Sequence, residues 1–528
     1  MTSQPANLKT SEERSCHRQL HEESFSHSVE NLQRIETHIS CIILTGEFAY
    51  KLKKPVDLGF VDYTTLERRK HFCELEVELN RRFSPDLYLG VVPIFKYGDG
   101  LRVGGSIIGV DEPENGPVSQ PPEQLEDSII VDFAVKMRQF PQEAIVASRL
   151  DDAALTSCAV EEFGRYIARF HDSIESAIPS LDFVRAKQVA DDAMDNFSVL
   201  QDPLSGDARF KTLKQLEAWT ETEGQRLAAK FDSRLDRGMV RRCHGDLHLK
   251  NIIQWKAGLA AFDGIEFNET FQWIDVLSEI AFPVMDFWAR GRPDLAWRLM
   301  NSYLEETGDY ADLDVLRFYL VYRAMVRAKV SWLNPGNHTE ARRVEYANSA
   351  NPEDPFAGPW DKYLQAAEYF ALEMSSSLSI THGFSGSGKS TLAIRVIEQE
   401  GGVRIRADAE RHRLAKKFKT KDKYSLAMSD WVYSHLGELA SHAIGASIPV
   451  VVDATFLNFK RRQLFESLAK SAGIPFFIIE CDASFDELCR RLDSRVDDPS
   501  EADIEVLKKQ METHDPLTTA ELQYLKKY

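Results

Sequence analysis

Residues 383–391 read GFSGSGKST, after a short apolar run at 377–382 and before a stretch of helical patterning. That is a complete G-x-x-x-x-G-K-[ST] in the order strand, loop, helix. The pattern constrains the second half of the chain more than any other feature. Its glycines let successive backbone N–H groups turn into one concavity, and the helix N-terminus adds positive potential for an anion. Three further apolar runs, 403–407, 449–452 and 476–479, each end in or beside an acid: Asp408, Asp453 and Glu480. Ligands of open α/β sheets sit at the carboxyl ends of the strands, so these acids are expected beside the phosphate loop. The loop positions Gly383, Ser385, Gly386, Ser387, Gly388, Lys389, Ser390 and Thr391 are the expected phosphate contacts. Lys389 is expected on the β- and γ-phosphates of ATP, and the Ser390 hydroxyl on Mg²⁺. Asp453, after three valines, fits a carboxylate that holds a Mg²⁺-bound water. Arg491 and Arg495 stand one helical turn apart, where a lid would close on a transferring phosphoryl group; Arg490 is the alternative.

The first half carries different chemistry. Residues 244–251 read HGDLHLKN, and Asp263 and Glu266 follow. A phosphoryl-transfer site needs one Asp beside the acceptor hydroxyl, with an Asn and a second Asp as hard oxygen ligands for Mg²⁺. Asp246, Asn251 and Asp263 answer to those three roles, and the Asp246-to-Asn251 spacing equals that of the protein-kinase catalytic loop. His244 is expected to order the loop through hydrogen bonds. Glu266 is either an outer carboxylate of the site or a structural group.

Upstream, residues 41–45 and 47–53 read as two strands joined at Gly46. In the second, Phe48, Tyr50 and Leu52 point one way while Ala49, Lys51 and Lys53 point the other. Lys51 is the expected phosphate lysine, with Lys53 the runner-up on the same face. A helix over 64–83 is expected to bury Phe72, Leu75, Leu79 and Phe83. Of Glu74, Glu76 and Glu78, Glu76 lies on the edge of that apolar face and is the expected partner of Lys51. A loop follows at 98–122, then a strand at 129–137. Residues 137–140 make a candidate adenine-binding hinge, and 143–330 is mostly helical. The acids Glu279, Asp286, Glu305 and Glu306 are a weaker expectation, as attractors of a cationic substrate.

Composition narrows the setting. At 528 residues, 43% hydrophobic and 28% charged, the chain has room for several cores. No apolar run approaches the roughly 20 residues of a membrane span. The polar, acid-bearing start shows no secretory signal, and seven cysteines without C-x-x-C pairs read as reduced thiols; the expected setting is cytoplasmic. A net charge of -18 argues against a whole-chain nucleic-acid binder. Lys416, Lys417, Lys419, Lys421 and Lys423 form one basic run, more simply read as a solvated face.

With Gly245 where protein kinases have Arg and a second His at 248, residues 244–251 resemble the catalytic loop of the aminoglycoside phosphotransferase family. Residues 48–51, FAYK, resemble the V-A-I-K strand of kinases. Residues 408–411, DAER, resemble the D-x-x-R of polynucleotide 5′-kinases and zeta-toxin-like small-molecule kinases. That resemblance implies Asp408 as base to the acceptor hydroxyl and Arg411 as a substrate-holding cation. From about residue 25 onward the chain resembles bacterial bifunctional proteins that join an aminoglycoside-phosphotransferase-like half to a P-loop ATP-binding half. Lys250 departs from the pattern, where a small residue is expected.

The implied fold is multidomain, α/β and α+β. A disordered tail (1–20) precedes a kinase-like N-lobe (21–140) and helical C-lobe (141–335); a connector with a helix (336–374) leads to a parallel-sheet P-loop kinase fold (375–528). The implied activity is ATP- and Mg²⁺-dependent phosphorylation of small-molecule hydroxyl groups at two sites. The alternatives are a polynucleotide 5′-kinase in the second half, which would bring nucleic acid in as partner, or one half acting as a nucleotide-sensing regulator. Fold and phosphate machinery do not specify either acceptor, and the oligomeric state is open.

Overall fold

The computed structural model describes residues 18–59, 61–98, 100–104, 129–153, 155–178, 185–204, 209–333, 359–419, 425–494 and 503–528. The expected tail up to residue 17, most of the 98–122 loop, connector residues 336–358, Lys421, Lys423 and Arg495 lie outside them. The chain divides into two compact units, Met1–Arg149 with Arg242–Ile274, and Leu150–Arg241 with Asp275–Tyr528.

The first unit is built on a six-stranded sheet in the order β1-β2-β3-β6-β4-β5. Its strands are β1 (Gln33–Glu36), β2 (Ser40–Leu44), β3 (Phe48–Lys53), β4 (Tyr88–Tyr97), β5 (Gly100–Val103) and β6 (Ile129–Arg138), all paired antiparallel. The alternation expected of β3 holds: Tyr50 and Leu52 pack with Phe25, Ile43 and Val92, while Ala49 packs with Cys73 and Val77 on the other face. Strand β1 was not anticipated. It is an edge strand of mostly exposed polar residues, so no apolar alternation marks it.

Helix α1 (Leu66–Arg81) starts at Thr65, whose side chain accepts from the Arg68 N–H. Its buried face corrects the expected one. Phe72 and Leu75 are only half-buried, whereas Cys73, Glu76, Val77 and Asn80 turn inward. A carboxylate sits mid-face because two lysines of β3 meet it there. Short strands β7 (Val240–Arg242), β8 (Ile252–Trp255), β9 (Gly258–Ala261) and β10 (Trp273–Asp275) follow, with helix α5 (Glu269–Gln272). Strands β8 and β9 form an antiparallel hairpin that directly follows the catalytic-loop candidate.

The second unit holds helices α2 (Ser157–Ser173), α3 (Ala186–Leu204), α4 (Arg209–Asp236), α6 (Val276–Ala289), α7 (Pro293–Thr307), α8 (Leu313–Leu333) and α9 (Asp361–Glu368). It then adds a four-stranded parallel sheet in the order β12-β13-β11-β14. These strands are β11 (Leu378–His382), β12 (Val403–Arg406), β13 (Val450–Asp453) and β14 (Phe476–Glu480), close to the expected runs. Helices α10 (Lys389–Glu400), α11 (Ala407–Phe418), α12 (Leu426–Gly445), α13 (Phe459–Ala472), α14 (Phe485–Asp493) and α15 (Ile504–Thr513) complete it.

Edge strand β12 does not end in solvent. The Asn301 side chain on α7 donates to Gly402 O at 2.9 Å and accepts the Arg404 N–H, filling a neighbouring strand's place. Helices and parallel sheet therefore pack as one body within this unit. Among the described residues no helix is long and apolar enough to cross a membrane.

Candidate active sites

In the first unit, residues far apart in sequence converge on Lys51. Its ammonium donates to Glu76 Oε1 at 2.8 Å and to Asp263 Oδ1. Lys53, buried, donates to Glu76 Oε2 at 2.7 Å and to Glu266 Oε1, which also accepts from the Tyr63 hydroxyl at 2.8 Å. Both lysines thus share Glu76, and only Lys51 reaches the aspartate. Glu266 is thereby a buried partner of Lys53. Burial pushes the Lys51 ammonium down, but Asp263, Glu76 and Glu266 outweigh it and hold it well above the ordinary lysine range. For Glu76, burial raises the carboxyl, and the two lysines outweigh that and draw it down to about 2.

The loop at 244–251 is fixed by its histidines. His244 Nε2 donates to Phe262 O at 2.9 Å, leaving Nδ1 to accept the Asp246 N–H at 3.3 Å. Burial pushes the imidazole down to about 4, so it stands neutral in that tautomer. Gly245 has φ +86°, and a Cβ there would lie 2.5 Å from Phe271 O, which leaves no room for an arginine. Asn251 Nδ2 donates to Asp246 O at 2.9 Å and to Asp246 Oδ2 at 3.1 Å, which turns its carbonyl oxygen away from the aspartate. His248 Nε2 lies 3.3 Å from Asp246 Oδ2.

Asp263 takes φ +62°, its N–H donating to the Tyr88 hydroxyl at 2.9 Å, and the next N–H, of Gly264, donates to Asn80 Oδ1 at 2.7 Å. Asn80 and Tyr88 escaped the sequence reading. Asn80 was within reach of it, being one helical turn beyond Glu76 on the same face. The Asn251 carbonyl and the half-exposed Asp263 carboxylate are hard oxygens of the kind Mg²⁺ takes. Residues 137–138 end β6 and 139–140 follow it, and the Gln139 side chain accepts the Thr45 and Gly46 N–H groups, both at 2.9 Å.

In the second unit the loop at 383–388 bridges β11 and α10. Gly383 (φ +148°) has no room for a Cβ, which would lie 2.3 Å from Cys481 O. Its N–H donates to Thr455 O at 3.1 Å, and Thr381 Oγ1 donates to Ala454 O at 2.6 Å, so residues 453–455 are pinned to the loop. Gly386 and Gly388 also take positive φ. Lys389 Nζ donates to Phe384 O at 2.6 Å. Ser390 and Thr391 follow in the first turn of α10. Ser385 accepts at its hydroxyl from Gln510 of α15 and donates its N–H to the same amide, both at 3.0 Å; Gln510 carried no sequence signal.

Asp453 is buried, and its Oδ2 has no hydrogen-bond partner among the described residues, as a carboxylate reserved for a cation or its water would. Ser387 Oγ is likewise buried without one. Asp408 lies in the first turn of α11, beyond β12, and buried Arg411 donates to Ser429 Oγ at 3.5 Å. Arg491 donates to Gly386 O at 3.3 Å and to Glu487, whereas Arg490 binds only Glu487 among the described contacts. The four acids expected to attract a cation are otherwise engaged or buried. Glu279 is fully buried, Asp286 pairs with Arg290, Glu305 pairs with Arg404 and Arg406, and Glu306 lies 3.9 Å from Arg169.

The fold is α/β and α+β, an antiparallel-sheet lobe carrying a lysine–glutamate pair followed by a parallel-sheet phosphate-loop domain. Residues 378–517 match the family AAA_33, described as an AAA domain. Over 481 residues the chain is 26% identical to the uncharacterized protein Rv2004c of Mycobacterium tuberculosis, covering 89% of this chain and 88% of that one. Among solved structures, a choline/ethanolamine kinase family protein from Mesorhizobium loti covers 65% of this chain and 94% of its own at 11% identity and TM-score 0.33. The APS kinase CysC of Mycobacterium tuberculosis covers 23% and 70% at 27% identity and TM-score 0.19. At TM-scores this low, likeness decides nothing about activity.

Proposed function

We propose that the chain is an ATP-dependent phosphotransferase with two separate sites, each moving the γ-phosphoryl group of ATP to a hydroxyl of a small molecule. The observation that carries this reading is the convergence of Lys51, Glu76 and Asp263 in the unit that also holds the Asp246–Asn251 pair. Such a constellation has little use in a merely structural core.

In the first site, Lys51 exchanges Asp263 for the nucleotide phosphates, with Glu76 keeping its ammonium in place. Asn251 and Asp263 would hold Mg²⁺, which when bound would neutralise charge on the phosphate oxygens. Asp246 orients the acceptor: the hydroxyl oxygen bonds to the γ-phosphorus, the bond to the β-phosphate oxygen breaks, ADP leaves, and the proton passes late to Asp246. In the second site the loop glycines and Lys389 hold the triphosphate, and Ser390 and Asp453 would hold Mg²⁺. Asp408 receives the acceptor hydroxyl, Arg411 holds the substrate, and Arg491 closes over the phosphoryl group. Arg495 remains a proposed second lid residue.

A polynucleotide acceptor at the second site is the runner-up. Exposed Phe418 and Trp431, with ring centroids 4.1 Å apart, lie beside exposed Lys416, Lys417 and Lys419, a combination that stacks bases and follows phosphates. A mass-spectrometric screen of metabolites and a labelled oligonucleotide, with wild type, Asp246→Asn and Lys389→Ala, tests both readings. ATP-dependent products lost selectively in one variant support a site; no product from either half sinks the proposal.

A further inference from the structure

We infer that Glu305, on helix α7, is a positioning residue for the phosphate-loop site: it draws two arginines away from Asp453 and so keeps that carboxylate open to magnesium and its water. The inference rests on the reading of residues 383–391 and Asp453 as an ATP·Mg²⁺ site.

Helix α7 lies along edge strand β12, with Trp297, Asn301 and Glu305 at four-residue spacing on the contacting side. Trp297 sits against Gly401, Asn301 completes the strand's hydrogen bonding, and Glu305 reaches the strand's far end. There Glu305 Oε2 accepts from Arg404 Nη2 at 2.8 Å and Oε1 from Arg406 Nη1 at 2.7 Å. The two arginines alternate along β12 and share a face, and Arg406 stands in register with Asp453 of the adjacent strand.

Asp453 Oδ2 is 3.9 Å from Arg404 Nη1 and from Arg406 Nε, too far for a hydrogen bond to either. Arg404 Nη1 also points to Ser390 O at 3.5 Å, the backbone of the other proposed magnesium ligand. Two guanidinium groups and two carboxylates thus balance in charge. The well-directed N–H groups go to Glu305, and Asp453 is left attracted but unbonded. Neutralising Glu305 releases two cations beside a buried carboxylate. They are then free to close on Asp453, in direct competition with a divalent ion.

The test uses the full chain carrying Lys51→Met, which silences the first site, and follows calorimetric binding of AMPPNP as magnesium is varied. Glu305→Gln is expected to raise the magnesium concentration at half-saturation by about tenfold, the usual scale for an outer partner of a metal ligand. Arg406→Gln, which removes a competing cation, is expected to lower it. The double variant should return near the parent value. A purely structural role for Glu305 would not give opposite signs or a rescue. If Glu305→Gln and Arg406→Gln move the midpoint the same way, or if neither moves it while Lys389→Ala still abolishes binding, the inference fails and the site reading stands. If AMPPNP binding ignores Lys389→Ala, the site reading itself falls and takes the inference with it. Should Glu305→Gln not fold, the sign of the Arg406→Gln shift decides alone.

Discussion

The two sites solve one problem with different materials. The first gathers side chains from β3, α1, the 244–251 loop and the 263–266 segment, and holds them by ion pairs among themselves. The second is made largely of backbone, six consecutive loop residues and the helix that follows, with Lys389 resting on a carbonyl of its own loop. On the proposed reading a side-chain site must be unlocked, because Lys51 would have to leave Asp263 before phosphate arrives. A backbone site is shaped in advance by its glycines, and its main adjustment is the release of Lys389 from the Phe384 carbonyl.

The sharpest way to break this comparison is to disable each site alone. Asp246→Asn removes the proposed proton acceptor and is expected to lower transfer in the first site by about 10²- to 10⁴-fold. Lys389→Ala should cost the second site a factor on the order of 10²–10³, as removal of a preorganised phosphate donor does. Product-specific assays on the full chain check both. If either variant abolishes both products, the sites are not independent and the contrast drawn here fails.

The next effect separates the two lysines. Lys53 is buried between Glu76 and Glu266, whereas Lys51 keeps some exposure, 12% of its side chain. Lys53→Met leaves Glu266 without its cation and is expected to destabilise the first unit by about 3–5 kcal/mol, the range for a broken buried pair. Lys51→Met should cost less stability and more nucleotide affinity. Denaturant unfolding beside AMPPNP binding distinguishes the two; equal stability losses would mean that both lysines only hold the fold.

Legibility followed the same division. The phosphate loop and the four parallel strands could be read from sequence because a backbone site is local: glycine spacing and the apolar runs carry it within one stretch. The side-chain site was half legible. Lys51, Glu76, Asp246, Asn251 and Asp263 were singled out from the sequence as candidates, and the structure brings them into one unit. The bond from Lys53 to Glu266 and the contacts of Tyr63, Asn80 and Tyr88 were not found, since each joins segments whose register only the folded sheet fixes. The face of α1 was misjudged for a related reason. Apolar periodicity favoured Phe72 and Leu75, but two lysines opposite made Glu76 an interior residue. The bracing of β12 by Asn301 and Glu305 had no local signature at all.

A smaller effect tests whether the catalytic loop depends on neutral His244. Its imidazole is held at about 4 by burial, against an ordinary histidine value of 6.5. Above pH 6.5 folded and unfolded states are both neutral and nothing is lost. As pH falls from about 6.5 towards 4, the unfolded chain takes up a proton that the folded chain refuses, so stability declines; the difference reaches about 2 kcal/mol by pH 5. His171 in the second unit, lowered by burial to about 3, adds a decline of the same sign there. Replacing His244 with Gln should flatten the pH dependence of the first unit's unfolding and leave the second unit's slope intact. An unchanged slope would show that the loop tolerates a charged imidazole.

The smallest expected difference lies within helix α14, the proposed lid. Arg491 reaches the Gly386 carbonyl in the phosphate loop, whereas Arg490 spends both its described contacts on Glu487 at the surface. A guanidinium already leaning on the loop can turn to a phosphate oxygen without reordering its helix, while one on the outer face has to cross the helix to do so. Arg491→Ala is therefore expected to lower kcat of the second site by about tenfold or more, with little change in unfolding, because a phosphate clamp acts mainly on the charge of the transition state. Arg490→Ala removes only an exposed pair with Glu487 and should leave both stability and kcat unchanged. Steady-state kinetics on the two variants separates them. Equal losses would move the lid away from Arg491 and shift attention to the segment beyond residue 494.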